Sequence, residues 1–539
     1  MFADALEMKF RLTIGEKVFS IPGGNVKTLK IELQPYGFNC RMSFWVSDEE
    51  GPDKLFPPFV EHDLIRAYLE VSPHFKQDKP PTESLILQGL VTSKDILTER
   101  TIESVRLKGH PVLYRHYRIA FSDPASVLWR QHFPCDLMTN KSVKDLLEAH
   151  RGLNVSLDYE WEFLDKKFAI NTLPLGVEGN EASFYDFVAW FLATYNGVWS
   201  YDYSEDIYTL SATKPDPGKS ISTDKLDVED PRVEFPQTIR NNVAVLNSHS
   251  EQPEPKVIAN EQAIDGIRRD CLVRLPILSD YEECTTLEEQ KLKIREHEIS
   301  LTFKRYPHIP YRPGSLFDFE GVGWSDEIFP RDKVYRVRNV FLDASAVATE
   351  TTADHNMPYA RFNIDMTSQL ELKSEGWVSL PPFKSPIYPV YVEGKVVSEQ
   401  GEDDAETYQI YQDAETSLDQ YKVAIPLWEN QQVVVPFEPN FFTGHFYFPD
   451  YKNARVLVAL DLHSGRIERF LDWRAGARLP MDTQGNHILF GKTATSQTSV
   501  QHVYVDDKPV LHMKRTSDKD TEMIKMVEGS LILETKEEE

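Results

Sequence analysis

Few stretches of this sequence place nucleophiles, acids or metal ligands at spacings that support chemistry. His297 stands beside Glu298, which opens a zinc-protease motif, but no second histidine follows four residues after the first, so a metal would lack half its imidazoles. His487, His502 and His512 are candidates of another kind, because one histidine from each of three chains can meet on an axis and hold a metal. No His-x-His pair accompanies them, and solvent-facing histidines are the plainer reading. Cys40, Cys135, Cys271 and Cys284 form no C-x-x-C pair and no zinc spacing, and read as buried or free thiols of a chain made in a reducing compartment. There is no G-x-S-x-G elbow, no phosphate-cradling glycine loop and no dinucleotide fingerprint. Carboxylates are so abundant that no glycosidase-like pair stands out. The expectation is no catalytic, cofactor-binding or metal residue, and hence no enzyme.

The aromatic residues Trp199, Tyr201 and Tyr203 alternate as a strand does, and could stack on sugars if that face were open. They follow two helices with clear start signals. Ser142 and Asp145 have capping-box spacing ahead of Val143, Leu146 and Leu147, with Gly152 as a stop. Ser183 and Asp186 repeat the device ahead of Phe184, Phe187, Val188, Phe191, Leu192 and Tyr195, a helical stripe that Asn196-Gly197 closes. Ser204-Glu205-Asp206 then turns the chain into IYTLS.

The chain of 539 residues is long for one core and suggests about three or four domains. A hydrophobic fraction of 41% is that of a globular protein. With 85 acidic against 59 basic side chains, nucleic acid and anionic membranes are excluded as main partners. The opening MFADALEMKFRLTIGEKVFSI holds no apolar stretch long enough for a signal peptide or membrane anchor, so export is not expected by the general secretory route.

The first hundred residues alternate as strands: KFRLTI and KVFSI around Gly15-Glu16, then VKTLKIEL and CRMSFWVSD. Residues 210 to 242 are polar and proline-containing and read as a surface connection, with a strand at VAVLN and an exposed loop after it. A charged helix is predicted from Thr286 to Glu298, with capping-box spacing from Thr286 to Glu289. Strands return at ISLTFKRY, KVYRVRNVFLDA, ARFNIDM and QLELKS. Pro381-Pro382 and Pro386 to Pro389 bracket a joint, since proline removes a donor and fixes φ. Beyond it lie PVYVEGKVVSE, ETYQIYQ, DQYKVAIPLW, QQVVVPF, GHFYFPD, ARVLVALD and GRIERFLDW, short strands at the spacing of a small barrel of oligosaccharide/oligonucleotide-binding (OB) type. From Gly491 the alternation continues in SVQHVYV, PVLHMKR, EMIKMV and SLILET, with Asp506-Asp507 and Asp518-Lys519-Asp520 as turns. Hairpins this short need another surface, which stacking three copies around an axis would supply. In SLILET, period two puts Leu531 and Leu533 on one face and Ser530, Ile532 and Glu534 on the other, so the leucines are the expected packing residues of a trimeric tip.

The order of elements resembles VgrG, the spike protein of type VI secretion, and the related hub-and-spike proteins of contractile phage tails and extracellular injection systems. LQGLVTSKDI, YRHYRIAFSDPASVLWR, NKSVKDLLEAH and NEASFYDFVAWFLATYNGVWSYDY stand in the order of the family's hub strands and helices. Gly394-Lys395-Val396, Tyr408 to Asp413, Tyr421 to Trp428 and Arg455 to Leu460 follow the text of its barrel, and AETSLDQ replaces the family's Gly-Arg turn. The resemblance implies a mainly β fold with a few inserted helices: a hub of two barrel-like domains over residues 1–385, an OB-fold barrel over 386–490, and the start of a trimeric β-helix or needle over 491–539. It implies a non-enzymatic homotrimeric spike that caps an inner tube, meets baseplate proteins, and pierces a target envelope carrying a PAAR-like tip protein or an effector. Such a chain assembles in the bacterial cytoplasm and leaves as part of the spike or particle, without stable membrane anchoring. A β-rich carbohydrate-binding or adhesion protein using Trp199, Tyr201 and Tyr203, and a hydrolase with an unrecognised site, are the alternatives.

Overall fold

The computed structural model describes all residues except 79–80, 105–108, 250–253, 404, 406, 415, 417, 438–447, 474–478, 480–484, 494 and 538–539. The fold is mainly β, with short helices inserted between strands. It divides into two compact units: residues 1–134, 147–165 and 179–386, and residues 135–146, 166–178 and 387–539.

In the first unit, eight strands hydrogen-bond into a closed ring. In ring order they are Phe2–Ile14, Ile65–Pro73, Leu85–Ser104, His110–Ser122, Gly37–Ser47, Val26–Gln34, Val334–Ala346 and Tyr359–Leu372, the last returning to the first. Closure leaves these strands without free edges. Alternation drives it: Leu29, Ile31 and Leu33 point inward from one strand, and Leu342 and Ala344 from the strand facing it. Inside, Phe44 stacks on Tyr117 at 5.5 Å and meets Phe10 edge-on at 5.3 Å. Gly89 belongs to the step LQGL because a Cβ there would lie 2.2 Å from the Ser122 carbonyl oxygen. ARFNIDM and QLELKS, expected as two strands, form the single strand Tyr359–Leu372, since Thr367-Ser368 between them supplies no glycine, proline or asparagine to turn the chain.

The aromatic helix forms as its start signals require. It spans Phe184–Tyr195, with Ser183 and Asp186 in a reciprocal capping box and Asn196 left-handed at the C-cap. Trp199, Tyr201 and Tyr203 are 0%, 4% and 2% exposed, which overturns their use as a sugar platform. They pack in a tyrosine-rich core around Asp123, whose Oδ1 accepts from the Tyr208 hydroxyl at 2.5 Å. The charged helix differs from expectation: it spans Leu278–Lys291, and Glu298 opens the strand Glu298–Thr302. Thr286 is not a cap but an interior residue whose hydroxyl donates to the Glu282 carbonyl at 3.0 Å. Its apolar face is anchored by Tyr281, buried in a satellite core with Val243 and Val245.

The second unit contains a six-stranded antiparallel sheet with strands Tyr411–Gln412, Asp419–Ile425, Val390–Val397, Arg455–Leu460, Gly465–Phe470 and Gln431–Pro436. Most of GHFYFPD lies outside the described residues. Val392, Val423, Ile425, Val433, Val456 and Val458 form the core of this sheet. Leu137 and Ile170, from the paired strands Cys135–Ser142 and Lys167–Pro174, belong to the same buried cluster. The Thr172 amide donates to the Leu462 carbonyl at 3.0 Å, and Gln431 accepts from the Thr139 amide at 3.2 Å. Two segments from the first half of the sequence are thus integral to this unit.

Candidate assembly surface

The five C-terminal strands, Gly485–Thr493, Ser496–Val505, Lys508–Ser517, Asp520–Val527 and Ser530–Lys536, form an antiparallel meander. The sheet opens ahead of Gly491, and Gly485 permits the start: its φ is +152°, and a Cβ there would lie 1.8 Å from the His502 carbonyl oxygen. Asp506-Asp507 turns the chain with both residues at positive φ, as a two-residue hairpin requires.

Residues directly opposite in an antiparallel ladder share a face. One row across the sheet is therefore Ile488, Val500, Met513, Ile524 and Leu533. The next row is Asn486, His502, Leu511, Met526 and Leu531. Ile488, Met513, Ile524 and Met526 are exposed, Leu531 is 63% exposed and Leu533 74%. The first row is apolar throughout and the second from Leu511 onward, a surface of a kind that a soluble sheet normally covers with a second layer. The opposite face carries His487, Gln501, His512, Lys525 and Ile532 in one row. Leu531 and Leu533 lie where period two puts them. Their neighbours Ile524, Met526 and Met513 were missed as a surface: each unit shows the alternation, but the register that aligns the units does not appear in any one of them.

The histidines do not converge within the chain. His487 and His512 flank Gln501, whose side-chain nitrogen lies 3.2 Å from His487 Nε2, while His502 points to the other face. His297 is buried, with Nε2 3.0 Å from the Tyr335 hydroxyl and its ring against Phe329. Glu298 beside it is bound by Arg338 Nη2 at 2.8 Å. Among the described residues no group of three His, Cys, Asp or Glu side chains could hold a metal ion. Nor, among them, is any helix long and apolar enough to cross a membrane.

A closed ring sheet, a smaller antiparallel sheet and a terminal meander hold most of the strands described in this chain. The chain superposes on a chain of the Francisella PdpA-VgrG complex in its half-lidded form with a TM-score of 0.73 at 14% identity, covering 99% of this chain and 88% of that one. For the lidless PdpA-VgrG complex the TM-score is 0.73 at 13% identity, covering 100% of this chain and 99% of that one. For the lidded Francisella complex it is 0.70 at 13% identity, covering 99% and 80%. The chain therefore has the fold of a component of that complex over its whole length. No protein-family model matches the sequence, and no curated protein matches it.

Proposed function

We propose that this chain is a non-enzymatic structural subunit of a contractile injection system, a homotrimeric hub and spike. The observation that carries the reading is the likeness in fold to the PdpA-VgrG complex, which spans the whole of this chain and nearly all of the lidless counterpart. The apolar face of the terminal meander supports the trimer, because Met513, Ile524, Met526, Leu531 and Leu533 stay exposed among the described residues and three copies around an axis supply a cover.

In this reading residues 1–385 form the hub, with its closed ring as one of two barrel-like domains; the OB-type barrel begins at 386 and ends ahead of Gly485; and the needle begins at Gly485, ahead of the expected start at 491. Leu531 and Leu533 pack at the trimer axis. The hub caps the inner tube and meets baseplate proteins, and the needle carries a PAAR-like tip protein or an effector. Sheath contraction supplies the work, so the chain's task is rigidity, which a ring without free edges serves. It assembles in the bacterial cytoplasm and leaves with the spike or particle. Coexpression with the tube protein encoded beside it, followed by electron-microscopic averaging, tests the reading. A three-fold particle seated on the end of a tube is expected. A chain that never joins a tube, under conditions where the tube itself assembles, contradicts it.

A further inference from the structure

We propose that a cavity in the first unit, beside the strand Val198–Asp202, binds a small organic anion whose carboxylate or phosphate sits on Arg336. The cavity has a volume of about 400 Å³, within the range of small-molecule sites. Pro35, Val198, Pro313 and Val378 give it an apolar wall, and Arg336 is among the residues that line it.

Arg336 is 6% exposed. One Nη donates to the Pro215 carbonyl, its Nε has no partner, and the residue makes no ion pair among the described residues. Glu371, directly opposite Arg336 on the ladder, is ion-paired with Lys214 through one oxygen while its Oε2 has no hydrogen-bond partner, so it lends Arg336 charge without accepting its N–H. Glu298 is held by Arg338. Buried N–H groups without acceptors are unfavourable, and an oxyanion in the cavity supplies acceptors together with charge. Trp199 Nε1 and Arg312 Nε also lack partners, and both residues line the same cavity. A planar guanidinium beside an apolar wall suits a ligand with an oxyanion at one end and a carbon body at the other. The inference does not depend on the chain being a spike, since every residue in it belongs to one chain.

Titration calorimetry on the full chain at constant ionic strength, with acetate, benzoate and inorganic phosphate as probes, tests it. Saturable binding of benzoate or phosphate is expected, weakened at least tenfold by Arg336→Gln and less by Arg336→Lys. Benzoate binding tighter than acetate assigns the apolar wall to the ligand's carbon body, and phosphate binding tighter than benzoate identifies a phosphorylated ligand. Should Arg336→Gln fail to fold, Val378→Trp, which fills the cavity from its apolar wall, must abolish binding instead. No saturable binding of any probe to the native chain overturns the proposal, and so does binding that survives the folded variant.

Discussion

Leu533 stands directly opposite Ile524 in the last ladder of the C-terminal meander, and both side chains are exposed. Pairing across the strands fixes them on one face, yet nothing in the meander covers that face. Burying a leucine or isoleucine side chain fully contributes about 1.5–3 kcal/mol, so a row of such residues is a large unspent driving force for association.

Replacing Leu531 and Leu533 together by aspartate is therefore expected to abolish the trimer. Around a three-fold axis the six new carboxylates would be desolvated near one another, at several kcal/mol per ion unless protonated. On a sheet that meets nothing, the same changes would alter stability by only about half a kcal/mol. Analytical ultracentrifugation of the double variant beside a truncation ahead of Gly485 separates the outcomes. The aromatic core around Trp199 should stay folded in both, read by near-ultraviolet circular dichroism.

A nick in the irregular segment ahead of Ile387 should not release two free pieces. Leu137 and Ile170 belong to the same buried cluster as Val423 and Val456, so the N-terminal piece stays threaded into the second unit's core. Limited proteolysis followed by size exclusion is expected to give two bands on a denaturing gel and one peak in native buffer. Two native peaks would contradict the shared core.

Acid should loosen the second unit through His463, whose ring stacks on Phe168 at 3.7 Å. Burial pushes the imidazole down from 6.5 to about 4. Because the folded-state value is depressed, the histidine's contribution is complete above pH 6.5. It is lost as the pH falls toward 4, where the unfolded chain alone is protonated. The loss reaches about 3 kcal/mol. His463→Phe, which preserves the stacking, should flatten the dependence of the urea midpoint on pH across that window. An unchanged slope would assign the acid sensitivity elsewhere.

The capping box at the aromatic helix gives a local test. In it the Ser183 amide donates to Asp186 Oδ2 at 2.9 Å, and the Asp186 amide donates to Ser183 Oγ at 3.3 Å. Ser183→Ala should cost about 1 kcal/mol, visible as faster hydrogen exchange in the first turn of Phe184–Tyr195. Unaltered exchange there would show that packing alone fixes the helix end.

The sequence was most legible where the determinants are local. Capping boxes at Ser142 and Ser183, the Asn196 stop and the Gly15-Glu16 hairpin each rest on a few neighbouring residues, and each is present. Tertiary packing overrode local spacing at Thr286: burial of Tyr281 against Val243 starts that helix earlier than its capping pattern suggests. Long-range partners were illegible. Nothing near Leu137 announces that it buries beside Val423, and nothing near Leu531 names Met526 as its neighbour. Arg336 reads as one more strand cation until the fold takes away its water.

The most direct test of the central claim is the mass of the native particle. Multi-angle light scattering of the purified full-length chain at micromolar concentration should give three times the chain mass, unchanged on tenfold dilution. A folded particle of one chain mass, with its C-terminal meander protected from proteolysis, would contradict the spike.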